Sequence, residues 1–170
     1  MASPPLYFAD AADALGMADN PVPLRNWLRR GQVKIEGGFG GGWATFTFRD
    51  LAGLSIIAAL VQNGVRLERA NRLVRYAFKQ AWRPEFDADP ALATTSGSGF
   101  IADASVKTGL PSHVFVWVDH RGKDRITWGN ARTRIDADTW LVIDAHRGIA
   151  RVMKRAVELL NEQQAEPRSA

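Results

Sequence analysis

At 170 residues, with 46% hydrophobic and 24% charged residues, the chain lies in the range of ordinary globular proteins and can hold one domain or two small ones. It contains no run of about 18 apolar residues to span a bilayer, and MASPPLYFADAADALG lacks the basic start and apolar block of a secretion signal, which points to the cytoplasm. Zero cysteines exclude disulfides, thiolate metal sites and a cysteine nucleophile, and the net charge of +4 is uneven: residues 1–83 hold 11 Lys and Arg against 6 Asp and Glu, residues 84–170 hold 11 against 12. The basic N-terminal half suits a polyanionic partner, because neutralising phosphates supplies most non-specific nucleic-acid affinity.

In chain order, Tyr7 to Leu15 sets Phe8, Ala11, Ala12 and Leu15 at helical spacing and is stopped by Gly16. Pro21 and Pro23 open a second short helix, Leu24 to Arg30, which ends at Gly31. Two short helices across a tight turn form a helix-turn-helix candidate. Val33 to Glu36 and Trp43 to Phe48 then read as the strands of a hairpin, the second through its alternation of Trp43, Thr45 and Thr47 with Ala44, Phe46 and Phe48. Amphipathic helices come next at Asp50 to Gln62, with Leu51, Leu54, Ile57, Leu60 and Val61 on one face, and at Leu67 to Trp82, with Asn63-Gly64 between them.

From Arg83 to about Leu110 the composition changes to Pro, Asp, Ser, Thr and Gly, a linker or irregular connection over 83–111. Beyond it Val114 to Val118, Arg125 to Trp128 and Trp140 to Asp144 are short β-prone runs, with a turn at Arg121 to Asp124. A last helix, Ile149 to Glu162, carries Ile149, Val152, Met153, Ala156, Leu159 and Leu160 in one stripe, before a frayed tail at 164–170. The fold class is therefore α+β and mainly helical. A winged helix-turn-helix spans 5–82, and a β-strand-plus-helix module at 112–163 comes after it.

The loop GGFGGG, Gly37 to Gly42, fails as a phosphate cradle. Its spacing does not fit the dinucleotide fingerprint, and no Gly-Lys-Ser/Thr leads into a helix, since the next segment, from Trp43, reads as strand. It reads as the tip of the hairpin, where bare backbone amides are able to donate to phosphates.

These residues resemble a known family. LRNWLRRGQV, Leu24 to Val33, is similar to the recognition-helix phrase of MerR-type transcription regulators, and FRDLAGLSIIAALVQNGVRLERANRLV, Phe48 to Val74, is similar to that family's next pair of helices. The resemblance implies a dimer that sets residues 20 to 30 in the major groove and the wing loop beside the phosphate backbone. Where the family's wing carries bases, Trp43-Ala44-Thr45-Phe46 offers none, so contact there falls to backbone amides at Gly38, Gly40 and Gly41, to Phe39 or to Trp43. Arginine bonds bidentately to guanine and asparagine to adenine, so Arg25 and Asn26 are the candidates for base readout. Arg29, Arg30, Lys34 and Arg49 are candidates for the backbone, and Arg66, Arg69, Arg72 and Arg75 read as a mostly solvated face.

Elsewhere the ordinary reading prevails. Trp27, Trp43 and Trp82 are expected in the core of the first part, and Trp117, Trp128 and Trp140 in that of the second. His113, His120 and His146 lack metal-ligand spacing, and Asp119 and Asp144, at strand ends, have no base or nucleophile beside them. Neither metal nor cofactor nor enzymatic activity is expected. The stripe of the last helix is the expected dimer seam, since DNA readers of this type use paired half-sites. The expected function is sequence-specific binding of double-stranded DNA by a homodimeric transcription regulator. An excision or architectural factor, and an antitoxin or adaptor gripping a protein through the C-terminal half, are the alternatives.

Overall fold

The structure, a computed structural model, describes residues 6–40, 43–81, 113–129 and 133–165. The expected linker and Trp82 lie outside them. A two-residue strand β1 (Leu6–Tyr7) leads directly into α1 (Phe8–Ala14). Next come α2 (Val22–Arg29), β2 (Phe39–Gly40), β3 (Trp43–Phe46), α3 (Phe48–Gln62) and α4 (Leu67–Ala81). The second part holds β4 (His113–Val118), β5 (Asp124–Gly129), β6 (Trp140–Asp144) and a helix we number α5 (Ala145–Ala165), which runs into the expected tail.

The hairpin differs from expectation. Val33 to Glu36 is not a strand, and β3 instead pairs antiparallel with β2 on one side (Phe39 opposite Ala44, Gly40 opposite Trp43) and with β1 on the other (Leu6 opposite Phe46, Tyr7 opposite Thr45). The backbone amides of Glu36 and Gly37 are drawn away from any ladder because they donate to the carboxylate of Asp50, at 2.7 and 3.0 Å. That carboxylate also accepts from the Thr47 amide at 2.9 Å, while Thr47 Oγ1 accepts from the Asp50 amide at 3.0 Å. The pair is a reciprocal cap on α3, and it moves the helix start back to Phe48.

α3 is not the one-faced helix its pattern suggested. Leu51, Ala52, Leu54, Ile56, Ile57, Ala58 and Leu60 are all buried, because α4, α5, β3 and β6 pack around it. In the second sheet the strand order is β5-β4-β6, antiparallel throughout, with Val116 opposite both Ile126 and Leu141. Val114, Val116, Trp128 and Ile143 point from one face of that sheet into the same hydrophobic cluster as α1, α3 and α4. Trp140, expected in the core, lies on the other face and is exposed.

The stripe of α5 is likewise spent within the chain. Ile149, Val152, Met153, Ala156, Leu159 and Leu160 are buried in that common cluster, where α5 lies against α1 and α3. These side chains therefore serve the chain's own core. The apolar stripe contributes most, at roughly 1.5–3 kcal/mol for each fully buried large side chain. Two ion-pair sites also join the first part of the chain to the second. Arg155 on α5 holds Asp13 at the end of α1 through both carboxylate oxygens, at 3.1 and 2.8 Å. Arg69 and Arg72 on α4 reach Asp124 of β5 at 2.7 and 2.9 Å, so these two arginines are tied to the second sheet.

Truncating Met153 to alanine should lower the stability of the single chain by about 2–5 kcal/mol in urea titration, with oligomeric state unchanged by sedimentation. Conversion of a wild-type dimer to a folded monomer would instead restore the seam. The Arg155 hydrogen bond holds the Asp13 carboxyl below the usual carboxylate range. A depressed folded-state pKa contributes stability above the unfolded value of about 3.9, lost as pH falls through the folded value. Asp13→Asn should therefore melt lower than wild type at neutral pH, by well under about 1 kcal/mol at this half-exposed site, and the difference should close below about pH 4.

Candidate nucleic-acid interface

α2 has two chemically distinct faces. Leu24, Trp27 and Leu28 are buried, whereas Val22, Arg25, Asn26 and Arg29 fall on the opposite side at about 100° per residue. Val22, Arg25 and Arg29 are exposed and Asn26 is half-buried. Pro23 in the first turn lacks an amide the helix would leave unpaired anyway. Arg25 is not free to sweep solvent, because its guanidinium carbon lies 5.4 Å from the centre of the Phe8 ring on α1.

Beside this face stands Trp43, the first residue of β3. Expected in the core, it is 73% exposed, and it meets the 41% exposed Tyr7 of β1 edge to face, with ring centres 6.3 Å apart and planes at 73°. The register Tyr7 opposite Thr45 brings the two rings together as diagonal neighbours on one face of the strand pair. Tyr7, Phe8, Arg25, Leu28, Arg29 and Trp43 line a single open concavity of about 750 Å³ between α2 and the hairpin.

Two glycines of the loop have distinct structural causes. A side chain on Gly37 would drive its Cβ to 2.2 Å from the Thr45 carbonyl oxygen, and Gly38 has a φ of +102°. The Thr45 hydroxyl donates to the Gly37 carbonyl, and the Thr45 amide donates to the Gly38 carbonyl at 3.1 Å. The base of the loop is thus pressed onto β3 from one side and tied to Asp50 from the other. Phe39 and Gly40 are placed by their backbone pairing in β2, and Gly41 lies outside the described residues.

The other expected contact residues are dispersed. Arg30 is exposed at the C-terminal end of α2. Lys34 and Arg49 line a different, smaller cleft of about 350 Å³ with Arg75 of α4, and Arg49 is paired there with Glu36 at 3.1 Å. The two strand-end carboxylates have structural work. Asp119 binds the turn before β5, where the Lys123 amide above all, and then Arg125 and the Arg121 amide, bring its carboxyl down to about 2. Asp144 accepts from the Arg147 amide at the start of α5. Among the described residues no helix is long and apolar enough to cross a membrane.

Sequence reasoning missed Val22 and Tyr7. Val22 was legible, being one turn before Arg25 and Asn26 in helical register. Tyr7 was not, since a two-residue strand leaves no periodicity.

The family model of the MerR HTH family regulatory protein matches residues 9–77. The N-terminal half is a MerR-type helix-turn-helix domain. The match runs from α1 into α4 and covers the basic face of α2, the hairpin and the Asp50 clamp. A MerR-type domain is the DNA-binding part of transcription regulators, and its presence makes this a DNA-binding regulatory protein in general terms. No curated protein matches the chain.

Gly37→Ala should cost more stability than Gly38→Ala: roughly 1–3 kcal/mol through overpacking against β3, beside about 1–2 kcal/mol of backbone strain. Urea unfolding of the two variants measures the order. A neutral Gly37→Ala would contradict the close approach.

Proposed function

We propose that the protein binds double-stranded DNA sequence-specifically as a homodimer in the cytoplasm, at the nucleoid, and regulates transcription there. The observation that carries the reading is the sorted surface of α2, whose apolar side is buried and whose outward side gathers Val22, Arg25, Asn26 and Arg29 within a MerR-type domain. On this reading α2 enters the major groove. Arg25, steadied by Phe8, bonds a guanine edge, and Asn26 takes an adenine. Arg29, Arg30 and Lys34 meet phosphates. The hairpin acts as the wing, with the amides around Gly38, Phe39, Gly40 and Gly41 beside the strand. Arg49, already facing Glu36, has a smaller part than its charge suggested.

Pairing of two chains follows from half-site geometry, in which two recognition helices meet the duplex one helical turn apart. The second chain meets a surface other than the buried stripe of α5. Recovery of bound DNA across the genome with the full chain tests the regulatory part, with sites beside promoters expected. Sites confined to recombination junctions would replace regulation by an excision role.

Arg25→Ala should weaken binding to the preferred duplex by about 1–3 kcal/mol and relax specificity at one position. Lys34→Ala should weaken preferred and random duplexes alike and lower the salt slope by about one. Gel-shift titrations at several salt concentrations measure both, and negligible loss from both would sink this docking.

A further inference from the structure

The concavity between α2 and the hairpin presents two chemistries at once. On one wall are the guanidinium groups of Arg25 and Arg29, and on the other the exposed rings of Tyr7 and Trp43. The described strands of the hairpin, Phe39–Gly40 and Trp43–Phe46, contain no lysine or arginine, so what β3 contributes to a partner through Trp43 is an uncharged, mostly apolar ring with a single N–H donor. The rings are also held in place. Edge-to-face packing sets them against each other, Trp43 is paired with Gly40 of β2, and two residues further on β3 is paired with Tyr7 of β1. Rigid aromatic side chains with few rotatable bonds lose little entropy on binding.

We propose that the Tyr7–Trp43 ledge receives the deoxyribose face of the DNA strand bordering the groove that α2 enters, while Arg29 takes a phosphate of that same strand. The inference rests on the DNA-binding reading above and extends it to the chemistry of the wing side. Charge complementarity and continuity with the outward face of α2 select the occupant. A DNA strand alternates anionic phosphates with the apolar faces of sugars, which matches arginines and rings lining one cleft. A free phosphate would leave the rings bare, and an apolar peptide would leave two guanidinium groups unpaired. Packing on sugar is blind to sequence and displaces no condensed counterion, and this sets it apart from both base readout and phosphate contact.

The experiment uses the full chain and two labelled duplexes, one selected by the wild type from a random pool and one unrelated, titrated across about 50 to 200 mM salt. Trp43→Ala should weaken both duplexes by a similar factor, about tenfold, with the salt slope unchanged. Trp43→Phe should recover most of the loss, and Tyr7→Ala should behave as Trp43→Ala does. Arg29→Ala should instead lower the slope by about one. Because Trp43 is largely exposed, its variants should melt as the wild type does by circular dichroism. Wild-type affinity of Trp43→Ala for both duplexes would overturn the ledge as a DNA contact. Loss confined to the selected duplex would replace sugar by base contact, and a lowered slope would show that the ring acts through the arginines. All three outcomes leave the parent reading standing if Arg25→Ala and Arg29→Ala still impair binding. If those two bind as the wild type does, or the wild type binds neither duplex, the parent reading fails and takes this inference with it.

Discussion

The carboxylate of Asp50, 8% exposed beneath the hairpin, is the point through which the candidate interface is joined to the core. Its two oxygens take the amides of Glu36 and Gly37 from the chain leaving α2 and that of Thr47 from the chain leaving β3. Three backbone donors with few other partners are satisfied at once, and a charged acceptor makes each bond stronger than a neutral one. The cost of removing such a group is dominated by the buried donors left behind. Both ends of the loop are therefore anchored to the first turn of α3. The loop is glycine-rich at its base because the backbone must pass within contact of β3 to reach that anchor.

From α3 the constraint spreads to the whole chain. This helix is enclosed on nearly every side, with the hairpin at its start, α4 alongside, and α5 and the second sheet over the rest. One hydrophobic cluster contains side chains of the helix-turn-helix and of the C-terminal module together. The ion pairs Arg155–Asp13 and Arg69/Arg72–Asp124 lie between the same parts. Being half-exposed, they contribute register more than energy. α5 packs directly against α1 and α3.

The outward surface divides its labour. Basic groups on α2 supply positive charge, with Arg25 oriented by Phe8, and the first residue of β3, Trp43, presents an exposed ring beside Tyr7. On the proposed docking, the ring pair Tyr7–Trp43 would meet a different part of a nucleic-acid strand from the guanidinium groups beside it. The strand-end carboxylates that resembled catalytic positions are absorbed by turns: Asp119 and Asp144 satisfy backbone amides where the chain reverses or enters a helix.

The sequence by itself determined the helices and the character of their faces, because helical periodicity and glycine or Asn-Gly stops are local properties. It also carried the second sheet, whose β-prone runs fall where β4, β5 and β6 do, and the family of the N-terminal half, through the phrases around Leu24 and Phe48. Only the tertiary structure decided three things. It replaced the strand expected at Val33–Glu36 by the shorter β2 and added β1 on the other side of β3, since Asp50, fourteen residues on from Glu36, takes the amides a ladder would need. It brought Tyr7 beside Trp43 through a two-residue pairing too short to leave a pattern. And it turned the stripe of α5 inward, because an apolar stripe states only that a partner exists, whereas the packing of α1 and α3 against it shows that the partner is the chain's own first half.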